Sequence, residues 1–506
     1  MSDFLRIHLF PAGRAPCLDY GRRRTRPSLP GLYRFPPPCY NGLAAPGRPI
    51  KKKELMLMRD MTTGSPTGHL WRFALPLLLG NWLQLAYNAV DSIIAGRFIG
   101  KEALSAEGIA APVMNLVILG ISGVCIGAGV LMGEAFGARD LPRVRRALGS
   151  TLRFGLTFCL IVTTLGILLT PQLMGLLSVP EGIFHMTGIY LRITFLGAPF
   201  TFLYNALAAG LKAVGDTKTP LRFLAFSAIL NALLDLFFLG VLHFGIVCSA
   251  VTTVVAEAAS AGLAVWYMLR KIRELFPERK DFRRDLPLLR QILAYGGPTA
   301  LQQMLQPIGK VLIQGQVNAL GVDSIAAYNA VTKVDDFACI PAQGISASVS
   351  TFMAQNRGAG RKDRLLPGFR AGLRLELCYF VLICSAALLL REQFVRLFLK
   401  ADDAPAIVSI GADYLGLMAF FYIYPALTNC MQGFFRGMGR MGITIVLTGI
   451  QITLRTVSTY VLAPRMGIRG IAVACAVGWS CMLIAAAVHY FRVKREVWGK
   501  ASGIPV

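Results

Sequence analysis

The chain has 506 residues, 55% of them hydrophobic and 16% charged, with a mean hydropathy of +0.55. That balance excludes a soluble globular protein and points to a polytopic membrane protein. The net charge of +25 does not indicate a nucleic-acid partner, because the basic residues lie in short connections between apolar segments, where the positive-inside rule puts them. The eleven cysteines are scattered, mostly inside apolar segments, without CxxC or Cys/His spacing. They read as small core hydrophobes rather than a zinc site or a disulfide framework.

Residues 1–65 stand apart. They are rich in Pro, Gly and Arg (GRRRTRPSLPGLYRFPPPCY) and contain neither a span nor a signal-peptide apolar region. One reading is a disordered basic tail on anionic headgroups. The favoured reading is that translation begins at Met56, Met58 or Met61, because Lys53-Glu54 can be encoded by AAGGAG, a bacterial ribosome-binding sequence. A peptide from residues 1–50 in the native protein would overturn it.

The first apolar segment, FALPLLLGNWLQLAYNAVDSIIAG, is long enough to cross a bilayer, which takes roughly 20 residues. Asn81, Gln84, Asn88 and Asp91 interrupt it at steps of three, four and three, which aligns them on one helical face. A carboxylate in a membrane helix costs several kcal/mol, so it faces a bundle interior or a wet cavity. The amides could serve as glue between helices, with Asp91 paired to a distant base, but the carboxylate on this stripe points to an ion site.

Further apolar segments follow at 103–135, 147–170, 183–212, 220–242 and 246–270, then at 291–318, 324–355, 368–390, 405–435, 441–462 and 468–492. The fold expected is therefore all-α, with about twelve transmembrane helices. The domains read as an N-terminal six-helix lobe over 66–275, a cytoplasmic linker over 276–290, a C-terminal lobe over 291–495 and a tail over 496–506. Alternate connections (GARDLPRVRR, KAVGDTKTPLR, the linker, RGAGRKDRLLPGFR, RGMGRMG) are basic, which places both termini in the cytoplasm. Two outer connections, LREQFVRLFLKADDAP and APRMGIRG, also carry Arg and blur the pattern in the second half.

The halves repeat. Pro76 and Pro298 are 222 residues apart, Gly100 and Gly321 are 221 apart, and MGEAFGARD aligns with MAQNRGAGRKD through Met132/Met353 and Gly137/Gly358. An even number of spans per copy sets the copies about a pseudo-two-fold axis along the membrane normal, with the substrate path between them.

In this order, YNAVDSIIAGRFIGKEALSA, GEAFGARD, LKAVGDTKTP, NALLD, LGVDSIAAYNAVTKVDDF and STFMAQNRGAGRKD resemble the multidrug and toxic compound extrusion (MATE) family of secondary transporters, over about Trp71 to Tyr490. The resemblance implies two six-helix lobes in a V, a bacterial plasma-membrane location, and export of amphipathic, often cationic compounds against inward protons or sodium. It carries the family's first acid onto Asp91 and its fifth-span pair onto Asn231 and Asp235. At the position where another branch has an acid in span seven, this chain has Gln306, which weakens any cation site in the second lobe.

The residues support the same location. Asn231 and Asp235 share a helix face, and Asp91 lies about 30 Å along span one from Trp71, so both acids fall in the outer half of the membrane. Two carboxylates in a dry pocket cannot both stay ionised cheaply, so one should hold a proton near neutral pH. Equally, Asp91, Asn231 and Asp235, with Asn88, would make an oxygen cage for sodium. The proton is the preferred ion, and no other cofactor is expected.

Across the repeat, Asn81, Gln84, Asn88 and Asp91 correspond to Gln303, Gln306, Lys310 and Ile313, while Asn231 and Asp235 fall opposite Arg455 and Thr459. The substrate-cavity candidates are thus Asn81, Gln84, Gln303, Gln306, Lys310 and Arg455. The bases of the second lobe would favour an anionic or zwitterionic group, unless they snorkel or pair with Glu257, Asp335 or Asp336. Glu107 and Glu134 lie towards opposite ends of span two, and Pro341 and Pro425 mark candidate bends. A flippase for a lipid-linked precursor is the alternative function. An enzyme is not expected, since no HExxH or metal-ligand cluster appears and the five His are scattered. The chain reads as a monomer whose partners are a small amphipathic molecule and the bilayer.

Overall fold

The computed structural model describes residues 58–399 and 405–498. The tail over 1–57 and residues 499–506 lie outside them. Among the described residues there is no strand, and sixteen α-helices carry the chain. They are α1 (Pro66–Phe98), α2 (Lys101–Gly137), α3 (Leu141–Leu168), the short α4 (Thr170–Leu176), α5 (Glu181–Ala213), α6 (Lys218–Asp235), α7 (Ile246–Lys271) and α8 (Leu286–Asn318). After them come α9 (Val322–Cys339), α10 (Gln343–Gly358), α11 (Lys362–Leu389), the short α12 (Arg391–Arg396), α13 (Pro405–Phe421), α14 (Ile423–Gly437), α15 (Met441–Met466) and α16 (Ile468–Trp498).

Nine spans among the described residues are long and apolar enough to cross a membrane, α9 with α10 counting as one, and the bent pair α13–α14 gives a tenth. The remaining two are α1 and α8, each 33 residues long. Their polar stripes, through Asn81, Gln84, Asn88 and Asp91 in one and Gln303, Gln306 and Lys310 in the other, lower their apolarity without shortening them. The protein is thus an all-α polytopic membrane protein of two six-helix lobes, α1–α7 and α8–α16.

The two expected bends are present. The chain breaks over 340–342 between α9 and α10, where Pro341 has no N–H to continue the ladder, and α13 and α14 meet at 40° beside Tyr422, with Pro425 following. A third irregularity was not foreseen: α6 passes at Asp235 into a π-helical turn, Leu236–Val241. Such turns are rare and concentrate where a helix must re-aim a functional side chain.

The repeat is visible in backbone conformation. Gly100 (φ 101°) and Gly321 (φ 91°) open α2 and α9 with positive φ, and Arg139 (φ 59°) and Gly360 (φ 70°) turn the chain after α2 and α10. Arg139 takes a left-handed conformation that costs a non-glycine residue roughly 1–2 kcal/mol, and the second copy avoids that cost with glycine.

Each lobe lends its first helix to the other. Leu70, Phe73 and Leu77 of α1 are buried in a core with Phe352, Met353, Phe434 and Phe435 of the second lobe. Leu288 and Ile292 of α8 are buried with Val144, Leu148 and Leu207 of the first. Leu70 and Ile292 are 222 residues apart, so the exchange follows the repeat. Residues 58–65, assigned to the tail by the sequence, are seated in this junction. Arg59 N donates to the Val214 carbonyl at 2.8 Å, Met61 N to Gln355 Oε1 at 3.0 Å, and Arg364 Nη2 to the Gly64 carbonyl at 2.8 Å.

Candidate functional site

Asp91 on α1 and Asp235 on α6 are brought together, their carboxyls within hydrogen-bonding reach of each other. Asp235 is 0% exposed and Asn231, one turn earlier, 1%. Both face α7, whose hydroxyls complete the pocket: Thr252 Oγ1 donates to Asp235 Oδ1, and Asn231 Nδ2 donates to Thr253 Oγ1 at 3.3 Å. Ser92 Oγ donates to Glu107 Oε1 at 3.2 Å, which sets a third carboxyl beside the pair. Tyr87 lies near enough to feel both Asp91 and Glu257, and Glu257 Oε2 accepts from Thr201 Oγ1 of α5 at 2.6 Å. None of these carboxyls forms an ion pair among the described residues.

Three oxygens in this pocket are buried and accept no hydrogen bond: Asp91 Oδ1, Asn231 Oδ1 and Asp235 Oδ2. Ionised carboxylates only accept, so two that face each other bond only through a shared proton or cation. An unsatisfied buried acceptor costs about 1–3 kcal/mol, and more when charged. The arrangement therefore favours a small positive ion, and its donors are the hard oxygens that suit a proton or sodium.

Asn88, one turn from Asp91, forms no hydrogen bond to either acid among the described residues. It is exposed, and its Oδ1 accepts from Gln84 Nε2 at 3.4 Å. Gln84 and Asn88 lie on the side of α1 opposite the exposed apolar face of Leu75, Leu79, Val90 and Ile93. Asn81 Nδ2 donates to the Ile340 carbonyl at 3.2 Å, which also accepts from Gln343 N at 3.1 Å, and Trp82 Nε1 donates to the Phe337 carbonyl at 3.2 Å, the acceptor that Pro341, without an N–H, leaves open at the α9–α10 break. On α8, Gln303 is half-buried, while Gln306 and Lys310 are exposed. Lys310 Nζ pairs with Asp336 Oδ1 at 2.7 Å, one of the partners proposed from the sequence. Arg455 lies among Tyr328, Tyr414, Cys475 and Asp335; its Nε has no partner, and Asp335 takes the hydroxyl of Tyr422 instead.

The lobes are shut at the end that carries the basic connections. A Cβ on Gly137 would overlap the Gln355 carbonyl, and one on Gly358 would overlap the Glu134 carbonyl, two contacts that exchange under the repeat. A Cβ on Gly123 or Gly127 would likewise crowd the backbone of Ala300 and Gly296, at 2.3 and 2.4 Å. Arg357 Nη2 pairs with Glu134 and reaches Tyr295 Oη at 3.2 Å across the junction. Arg357, Tyr87, Thr252 and Thr253 were not singled out from the sequence. The duplicated MGEAFG and MAQNRG pointed to the crossing without revealing its contact.

The MatE family model matches residues 76–237 and 298–461, one match in each lobe. The chain is similar to the probable multidrug resistance protein YpnP of Bacillus subtilis, 27% identical over 432 residues, covering 85% of this chain and 96% of that protein. It is also similar to the probable multidrug resistance protein YoeA of the same organism, 32% identical over 345 residues, covering 66% and 74%. Among solved structures, an outward-facing multidrug resistance MATE transporter of the MOP superfamily superposes with a TM-score of 0.82 at 18% identity, covering 89% of this chain and 99% of that one. Paired six-helix lobes with one family match in each leave a single assignment: this chain belongs to the MATE family of transporters.

Proposed function

We propose that the protein is a secondary antiporter, exporting amphipathic organic compounds across the plasma membrane in exchange for protons taken up at Asp91 and Asp235, and that it works as a monomer. The observation that carries this reading is the trio of orphaned oxygens on Asp91, Asn231 and Asp235, buried with no base beside them. The basic end is assigned to the cytoplasm, with lobes over 66–275 and 291–495 joined by 276–290. With that end shut, the acid pair loads from outside. A proton bound between the carboxyls removes their repulsion and lets α1 and α6 hold together. Its release restores the repulsion and favours the opposite arrangement. The exposed amides Gln84, Asn88 and Gln306, with Lys310, face the space between the lobes, where an amphipathic molecule would lie.

Reconstituted into vesicles with a preformed pH gradient, the protein should collapse that gradient when a fluorescent cationic dye is added. Collapse of a sodium gradient alone would replace the proton, and collapse of neither would end the antiporter reading. Within the cavity, Lys310→Gln leaves Asp336 uncompensated. Cationic dyes should then be exported about fivefold better relative to anionic ones, the worth of one exposed charge, roughly 1 kcal/mol. An unchanged ratio of the two dyes would make the Lys310–Asp336 pair structural only.

A further inference from the structure

We infer that the cytoplasmic junction between α3 and the start of α8 is a binding site for the phosphate headgroup of an anionic phospholipid. A cleft of about 440 Å³ opens there, lined by Arg146, Ser150, Lys280, Arg283, Arg284 and Leu286. Its floor is tightly built. Gly149 lets the Asp281 carbonyl approach to within 2.7 Å of where a Cβ would stand, Arg145 holds Asp281 at 2.7 Å, and Arg153 Nη1 donates to the Phe282 carbonyl at 2.8 Å.

The charges in the cleft are unbalanced. Two carboxylates line it, but Asp281 is already held by Arg145, and Asp285 caps α8 by accepting from Leu288 N at 3.0 Å. Lys280 pairs with Glu278 at 2.8 Å, whereas Arg146, Arg283 and Arg284 form no ion pair among the described residues. Ser150, only 7% exposed, contributes a hydroxyl that has no hydrogen-bond partner. Three uncommitted guanidinium groups over a buried unpaired hydroxyl match a phosphodiester, which offers several acceptors at once.

The same helix face shows why the ligand is a lipid. Arg146, Ser150, Arg153, Leu160 and Leu168 follow one another at steps of three, four or whole double turns along one face of α3, with Ile161 at its edge. Of these, Leu160 is 58% exposed, Ile161 52% and Leu168 65%, a stripe that faces acyl chains. A ligand seated on it is therefore anionic at the basic end and apolar above. The chain's own N-terminal region is a poor occupant, since its GRRRTR and KKK clusters repeat the sign of the cleft. Because the start of α8 is seated against α3, with Leu288 and Ile292 buried beside Val144 and Leu148, a bound headgroup would brace the seat of the lent helix.

Thermal unfolding of the full chain in dodecyl maltoside tests this. Phosphatidylglycerol should raise the midpoint, whereas phosphatidylcholine and inorganic phosphate should not. The triple variant Arg146→Gln/Arg283→Gln/Arg284→Gln should need roughly a hundredfold more phosphatidylglycerol for the same shift, at about 1 kcal/mol per basic residue. Arg284→Gln alone should need about fivefold more, which keeps the test open if the triple variant does not fold. Arg391→Gln/Arg469→Gln, at the far end of the bundle, should respond as the parent does. An undiminished response in the triple variant, an equal effect of phosphatidylcholine, or a full effect of inorganic phosphate would each overturn the lipid site.

Discussion

Asp235→Asn should reduce gradient-driven export to that of membranes without the protein, while the chain remains inserted and folded. The substitution keeps shape and one acceptor. Thr252 Oγ1 still has an oxygen to meet, and its single proton has a second acceptor in the Ser249 carbonyl at 2.8 Å. The new amide would donate to Asp91 Oδ1, an oxygen that now has no partner, so the unfolding midpoint should hold or rise. What disappears is the ability to gain and lose charge. Asp91→Asn should behave the same way, and the double variant should be no worse than either single one, because members of a unit that acts together are not additive. Glu107→Gln should cost less, because Glu107 already accepts from Ser92 and lies beside the pair rather than in it. Vesicle export with simultaneous proton release is the measurement. Parental export by Asp235→Asn would remove the acid pair from the mechanism.

How much of this was legible beforehand depends on which forces set each feature. The stripe on α1 was legible because four polar residues at helical spacing in a long apolar run have few explanations in a bilayer. The pairing of Asp91 with Asp235 followed from depth and helix face. Asn88 lies on the same stripe, yet it is exposed and its carbonyl accepts from Gln84, a choice that spacing along the helix does not reveal. Asn81 could not be assigned, since its partner is a backbone carbonyl 259 residues away. The hydroxyls of Thr252 and Thr253 give no warning, because a membrane-helix Thr ordinarily bonds its own backbone. Thr253 does so to the Ser249 carbonyl at 3.0 Å while also accepting from Asn231. Lys310 had three candidate acids in sequence, and only packing chose Asp336. The exchange of first helices was hidden for a related reason: Leu70 and Ile292 look like any buried apolar residue, and tertiary packing alone decides which lobe receives them.

Gly137→Ala should trap the transporter away from the state in which the basic end is shut. The added methyl would overlap the Gln355 carbonyl, which is backbone and cannot rotate aside, so α2 and α10 must separate. Overpacking of this kind costs about 1–3 kcal/mol, enough to shift the closed-to-open balance by roughly five- to a hundredfold. The cost falls only on the closed arrangement, because once the helices part the methyl has room. Gly358→Ala should match it, since Gly358 meets the Glu134 carbonyl in the repeat-related contact. Gly182→Ala is the control: nothing stands within 4 Å of a Cβ there. Glu134→Gln should shift the balance less, because the Glu134–Arg357 pair is partly exposed, with side chains 24% and 20% accessible, and water replaces much of what is lost. Hydrogen exchange separates opening from unfolding. Residues 124–137 and 350–358 should exchange faster in both glycine variants, while α6 and α15 keep parental protection, and export should fall because one station of the cycle is depopulated. Parental exchange over those segments in Gly137→Ala would mean that the glycine crossing is packing alone, and that the gate lies elsewhere.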